Sequence, residues 1–309
     1  MPSGKYAQPA SRANPACIIF VLDESYSMNN GIAGSPRPKI EALATGINRF
    51  IADLITLCEK GEEKPRNYFD VGVIGYTTDR SDPPIPIVGP VLTGERGTLA
   101  GRDLVSVSDL FDDPLAIEER QKMVDDGAGG LISTTFKMPV WYRKPPDASM
   151  SGTAMCTALD YVRNIAATWC ASHPDSFPPV VIHLTDGEPT DGDPVPFADA
   201  LKALSTTDGE LLLFNCHISE SQANPVVFPN SEHILGDDLA KALFRMSSEL
   251  PDKLRGVAES KGVLGGTGAR GMVFNADGAQ MLLLIQMGTV GAQQAAPTES
   301  AAPTSPLHY

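Results

Sequence analysis

Residues 17–22, "CIIFVL", are apolar without a break, and Asp23 follows them. A short continuous run rich in β-branched residues reads as a strand buried on both faces, not one turned to water. Such a strand cannot stand alone: its sheet needs helices packed over both sides. The chain supplies them in alternation. "PKIEALATGINRFIADLITLCEKG" places Ile40, Leu43, Ile47, Ile51, Leu54 and Leu57 at steps of three and four, with Pro38 near its start and Gly61 at its stop. That spacing makes one helical face. "YFDVGVIGYTT" (68–78) reads as a second buried strand.

Later segments repeat the pattern. In "TAMCTALDYVRNIAATWCASH", Met155, Leu159, Val162, Ala166 and Trp169 share a helical stripe. "PVVIHLTDG" is a strand, "VPFADALKAL" a helix and "GELLLFNCHIS" a strand. A helix near 237–260, a short strand at "GMVFNA" and a closing helix at 277–288 complete the order. The fold class expected is therefore α/β: a Rossmann-like open, mostly parallel sheet with helices on both faces. In such sheets ligands bind beyond the carboxyl ends of the strands, at the topological switch point.

The 309 residues admit one large domain or two ordinary ones. Residues 1–15 are expected as a flexible leader without an apolar signal-peptide core. Residues 16–290 form the domain, and 79–150, rich in Pro, Gly and Asp, are a long excursion with weak strand candidates at 102–107 and 131–136. From 291 to 309 an Ala/Pro/Ser/Thr/Gln tail is expected to be disordered, with phosphorylation or tethering of its hydroxyls the alternative. Lys and Arg number 24 against 38 Asp and Glu, a net charge of −14 that disfavours nucleic-acid and membrane-surface partners. The apolar runs are too short to span a bilayer. Five cysteines without a C-x-x-C pair suit buried, reduced thiols and a cytoplasmic location.

If the strands are parallel, three loops meet at one sheet edge. Asp23, Ser25 and Ser27 follow the first strand, Asp186 in "HLTDGEPTD" follows a later one, and Thr153 in "SGTAM" lies in a loop entering a helix. Together they offer two carboxylates and three hydroxyls. An all-oxygen set of this kind favours Mg²⁺, with Mn²⁺ or Ca²⁺ as alternatives, over zinc or copper. Capping could account for Asp23 or Thr153 singly, but not for oxygens on all three loops.

The D-x-S-x-S after strand one, the G-x-T loop and the later T-D-G resemble the von Willebrand factor A (VWA) domain and its metal-ion-dependent adhesion site, the MIDAS. The resemblance covers about 16–290, with 79–150 less typical. It implies that Ser25 and Ser27 ligate the metal directly. Thr153 would bind directly or through water, and Asp23 and Asp186 directly or through waters while orienting the hydroxyls. It implies, too, that a partner's acidic side chain completes the shell. The phrase "LTDGEPTDG" is similar to the bacterial intracellular branch, including tellurium-resistance-associated proteins. For that branch the implied role is an adaptor or scaffold in a stress or signalling system, with an AAA+ ATPase, or a Ser/Thr kinase and PPM-type phosphatase, as associates.

Other features receive plainer readings. Glu188, Asp191 and Asp193 are expected as solvated turn residues, and His183 as a satisfied core histidine. Tyr26 and Met28 could pack or meet a partner at the rim. "GVLGGTGARG" (262–271) lacks the Gly-Lys-Ser/Thr ending of a phosphate cradle and reads as a loop. Two rival functions stay open. In a Mg²⁺-dependent phosphohydrolase Asp23 would accept a phosphoryl group, but position 25 is Ser where a second acid is needed, so no turnover is expected. The other rival is a metal-free, purely structural VWA module.

Overall fold

The computed structural model describes residues 5–125, 130–221, 223–260, 262 and 266–293. The principal strands are β1 (Ala16–Asp23), β2 (Phe69–Thr78), β3 (Pro86–Pro90), β4 (Ala116–Asp125), β5 (Leu131–Val140), β6 (Val180–Thr185), β7 (Leu212–Ile218), β8 (Val226–Val227) and β9 (Met272–Ala276). The helices are α1 (Lys39–Cys58), α2 (Val107–Asp112), α3 (Met155–Ser172), α4 (Val195–Lys202), α5 (Asp238–Met246), α6 (Asp252–Ser260) and α7 (Gly278–Gln293).

The central sheet runs β8-β9-β7-β6-β1-β2-β3. Pairings from β9 through β2 are parallel, and β3 and β8 add antiparallel edges. This is the α/β, Rossmann-like architecture that the unbroken apolar strands require. β1 is buried along its whole length. Its alternate residues serve two cores. Ile18, Phe20 and Leu22 pack with α1 and α7. Cys17, Ile19 and Val21 face the α3, α4 and α5 side. From β1 the chain steps to β2 on one flank and later returns to β6 on the other. The reversal therefore falls between the carboxyl ends of β1 and β6, the switch point at which sheets of this kind form a crevice.

The excursion after β2 returns to where it began. β3 folds back along β2, and Asp113 then gathers the next loop by accepting from Arg96 N at 2.8 Å, Thr98 N at 2.9 Å and Thr98 Oγ1 at 2.5 Å. The Thr98 hydroxyl leads these bonds in holding the Asp113 carboxyl down to about 2. β4 and β5 pair with each other as a hairpin. Asn48 of α1 receives the returning chain: its Oδ1 accepts from Trp141 N and Tyr142 N, and its Nδ2 donates to Tyr142 O. Ser151 N and Gly152 N then donate to Thr77 Oγ1 at 3.0 Å and Thr78 Oγ1 at 2.9 Å. Both ends of the excursion are thus stitched to the last residues of β2. The loop carrying Thr153 is held by the sheet, whatever the hairpin does.

Several expectations are corrected. Residues 5–15 do not form a flexible leader. Ala7 N and Gln8 N donate to Asp208, Tyr6 N donates to Asp208 O, and the Tyr6 ring packs against Phe177; residues 1–4 lie outside the described residues. The single helix expected near 237–260 is two. Ser247 leaves helical geometry, and residues 248–250 run along β7 and 269–271 through Ser248 N to Leu213 O and Leu250 N to Ala269 O. Pro251 also disfavours helix at Leu250. α7 continues to Gln293, past both the expected helix end at 288 and the tail boundary at 291, in a stretch whose alanine is a strong helix former. Residues 294–309, the rest of the expected tail, and 263–265 of "GVLGGTGARG" lie outside the described residues. All five cysteines are free and buried. Among the described residues, no helix is long and apolar enough to cross a membrane.

Candidate metal centre

β1 ends by delivering Asp23, fully buried, to the crevice. Its Oδ1 accepts from Ser25 N at 2.8 Å and its Oδ2 from Thr185 Oγ1 at 2.6 Å. The first bond folds the chain into a tight turn after the strand, and the second ties β1 to its neighbour β6. Tyr26 N donates to Ser151 O at 2.8 Å, pinning the same turn to the loop before α3. Ser25 and Ser27 therefore present their hydroxyls side by side, 3.0 Å apart. Ser27 Oγ donates in turn to Asp186 Oδ1 at 2.8 Å, joining loops 159 residues apart.

Thr153 closes a third side. A Cβ built on Gly187 would lie 3.8 Å from Thr153 Oγ1, so the threonine hydroxyl stands over the residue that follows Asp186. Thr190 fixes the loop from below: its Oγ1 accepts from Thr153 N and donates to Thr153 O. Gly152 is required by space, since a Cβ there would fall 2.9 Å from Thr78 Oγ1 and 3.1 Å from Thr190 Oγ1. Gly152→Ala is accordingly expected to push Thr153 out of line and weaken Mn²⁺ binding roughly tenfold, the scale of losing a support behind a ligand. Titration of free Mn²⁺ by electron paramagnetic resonance would measure it, and unchanged affinity would show that the Thr153 position is immaterial.

All five predicted site residues, Asp23, Ser25, Ser27, Thr153 and Asp186, thus lie at one sheet edge. The spacing of Ser25, Ser27 and Asp186 suits a small hard cation. Ligands on adjacent corners of a Mg²⁺ octahedron with bonds of about 2.1 Å lie roughly 3.0 Å apart. The Ser25–Ser27 and Ser27–Asp186 separations, 3.0 and 2.8 Å, are close to that edge. Among the described residues no three His, Cys, Asp or Glu side chains form a cluster able to hold a metal, so hydroxyls have to supply much of any shell here. Burial, then the nearby Asp186 charge, pushes the Asp23 carboxyl up to about 6, against the bonds from Thr185 and Ser25. Two carboxylates drawn together out of water favour a positive charge beside them.

Several contributors carry no signal in the sequence. Lys39, the first residue of α1, is buried with Nζ 2.7 Å from Asp186 Oδ2, an ion pair whose angle falls outside hydrogen-bond geometry. Glu24 is buried behind the site with its Oε1 accepting from Tyr142 OH at 2.8 Å. Burial pushes its carboxyl up to about 7, with Asp23 adding to the rise and the Tyr142 bond opposing it. A Cβ on Gly75 would fall 2.6 Å from Glu24 Oε2, so glycine there makes room for this acid. The expectation for Asp191 as a solvated turn residue is corrected: it accepts from Cys156 N, Thr157 N and Thr157 Oγ1, capping α3. Asp193 accepts from Val195 N at the start of α4, and Glu188 is exposed. Of the rim pair, Met28 packs in the core while Tyr26 is 58% exposed.

No family model matches the chain, and no curated protein matches it. Among solved structures it is similar to the pilus adhesin SpaC of Lactobacillus rhamnosus GG, at 12% identity and a TM-score of 0.45, over 93% of this chain and 32% of that one. It is similar also to the manganese-loaded TRAP protein of Plasmodium vivax, at 13% identity and a TM-score of 0.37, over 88% of this chain and 72% of that one. The chain spans about a third of the adhesin's length (32%). The α/β architecture expected from the sequence is present: a mostly parallel sheet, helix-covered, with the side-chain oxygens of Asp23, Ser25, Ser27 and Asp186 at its switch point.

Proposed function

We propose that the chain is a VWA domain whose MIDAS holds Mg²⁺ or Mn²⁺ and through it binds an acidic side chain of a partner protein, without turnover. The observation that carries this reading is the run of Ser25 Oγ, Ser27 Oγ and Asp186 Oδ1 at contacts of 3.0 and 2.8 Å, with Thr153 alongside. When bound, the cation would supply positive charge to a shell made largely of neutral hydroxyls, which an external acid can complete. Ser25, Ser27 and Thr153 offer neutral oxygens, while Asp23 and Asp186 orient them and hold the cation's charge from the buried side. Tyr26 stands exposed at the rim, where an incoming side chain would pass it.

Asp23 is poorly disposed as a phosphoryl acceptor, since Ser25 N and Thr185 Oγ1 engage both of its oxygens. Ser25 occupies the place where an acid–base group is needed, and His183 is buried between Tyr76 and Asn215. These observations support binding over catalysis. The "LTDGEPTDG" phrase supports a place in the bacterial intracellular branch, as an adaptor in a stress or signalling system. Its associate would be an AAA+ ATPase or a Ser/Thr kinase with its PPM-type phosphatase.

The test is thermal unfolding of the full chain against Mg²⁺ and Mn²⁺, with capture of partners in the presence and absence of chelator. At a hundredfold excess over Kd the native state gains about 2.7 kcal/mol, which raises Tm by roughly 5 °C in a chain of this size. An unmoved Tm at millimolar metal, or capture indifferent to chelator, removes the metal from the function. Turnover of a generic phosphomonoester would replace the binding reading with the phosphohydrolase.

A further inference from the structure

We infer that Lys39 is a resident cation of this site, competing with the divalent ion for Asp186 and setting its affinity. The inference rests on the reading of the site as a metal centre. Lys39 is an expensive residue where it stands. It is only 2% exposed, and burying an ammonium group costs several times what a surface lysine does. It is also the first residue of α1, where the positive end of the helix dipole repels it. A helix start favours an acid, and the crevice floor favours an apolar side chain. Neither preference is met, so the placement is not accounted for by the stability of α1.

Asp186 explains the position. Its side chain is fully buried, and its two oxygens have separate tasks: Oδ1 accepts from Ser27 Oγ at 2.8 Å, and Oδ2 faces Lys39 Nζ at 2.7 Å. The ammonium thus sits on the carboxylate that a cation at the serines would need. Counting only the two carboxylates of the predicted ligand set, Asp23 and Asp186, Lys39 brings their formal charge from −2 to −1. A divalent ion then leaves it at +1 instead of 0. The cost is weaker metal binding, and the gain is a loaded site that remains positive toward an acidic ligand.

Glu220 provides a second place for the ammonium. It lies beyond β7, its side chain is 59% exposed, and its Oε1 is 3.5 Å from Lys39 Nζ while accepting from Asn30 Nδ2 at 2.9 Å. Lys39 therefore stands between an inner carboxylate that the metal also uses and an outer one that it does not. Drawing Lys39 toward Glu220 frees Asp186, and removing Glu220 commits Lys39 to Asp186.

The experiment is Mn²⁺ binding to the full chain at pH 7.5, read by electron paramagnetic resonance of free Mn²⁺ and by thermal unfolding. Lys39→Met is expected to bind Mn²⁺ roughly tenfold tighter than wild type, the scale of removing one close, poorly screened like charge. Its Tm should rise more steeply with Mn²⁺, and a variant that folds only with Mn²⁺ present supports the inference equally. Glu220→Gln, an exposed change, is expected to weaken binding about two- to threefold. If Lys39→Met does not fold under either condition, Glu220→Gln decides alone. Wild-type binding with neither affinity moved in the stated direction overturns the role of Lys39 and leaves the metal centre standing. Absence of Mn²⁺ binding to wild type and Lys39→Met together overturns the metal centre itself.

Discussion

Replacing Ser25 and Ser27 together by alanine is expected to abolish the rise in Tm that Mg²⁺ or Mn²⁺ gives the wild-type chain, while lowering the metal-free Tm by roughly 5 °C or less. The two outcomes separate because the hydroxyls do little for the fold. Ser25 Oγ touches Ser27 Oγ, and Ser27 Oγ donates to Asp186 Oδ1. The turn itself is made by main-chain groups, through Ser25 N to Asp23 and Tyr26 N to Ser151 O, and alanine keeps both. An Asp23 substitution would be a poorer probe, since it also cuts the Thr185 tie between β1 and β6. In the double variant Lys39 still balances Asp186, the carboxylate that loses its bond from Ser27. Equal metal-induced shifts in the variant and wild type would mean that the ions act elsewhere, and would favour a purely structural module.

The features legible in the sequence are those whose cause is local. The "CIIFVL" run demands burial on both faces whatever surrounds it, and α1 reads from its own spacing of Ile40, Leu43, Ile47 and Ile51. The common location of the candidate site residues has a related cause: strand order puts Asp23, Thr153 and Asp186 on loops at one edge before any side chain is placed. What escaped has its cause far away in the chain. A lysine opening a helix looks like a solvated residue until Asp186, from another loop, is beside it. The N-terminal segment looks like a leader because the acceptor that holds it, Asp208, lies about 200 residues on. The break between α5 and α6 follows from the pull of β7 on residue 248 as much as from Pro251. Asp191 sits among turn-forming residues, yet its cap is on α3, a helix that precedes it in the chain.

His183 is expected to make the protein lose stability in acid, and the hydrogen bonds behind the site determine the sign. Leu243 O can only accept, so Ser247 Oγ donates to it, at 2.7 Å, and accepts from Asn215 Nδ2 at 2.9 Å. Asn215 Oδ1 then accepts the proton of His183 Nδ1 at 2.9 Å, which leaves Nε2 to accept from Tyr76 OH at 2.7 Å. The ring is neutral, and burial pulls it down to about 4, with the Asn215 bond opposing. Unfolding returns it to about 6.5, so between those values the unfolded chain binds the extra proton. The contribution is present in full above about pH 6.5 and lost as pH falls toward 4, a change of about 3 kcal/mol. Asp23 and Glu24, raised to about 6 and about 7, act in the opposite sense, because the folded chain holds their protons more tightly. The raw stability curve mixes the two trends, so the measurement is a difference. Urea unfolding of wild type and His183→Gln in chelator, from pH 7.5 to 4.5, removes the carboxyls' shared contribution. The wild-type advantage at pH 7.5 should shrink by a few kcal/mol across that range. An advantage that stays constant would mean that the folded ring takes up its proton over the same pH range as the unfolded one, so that burial is not what keeps it neutral.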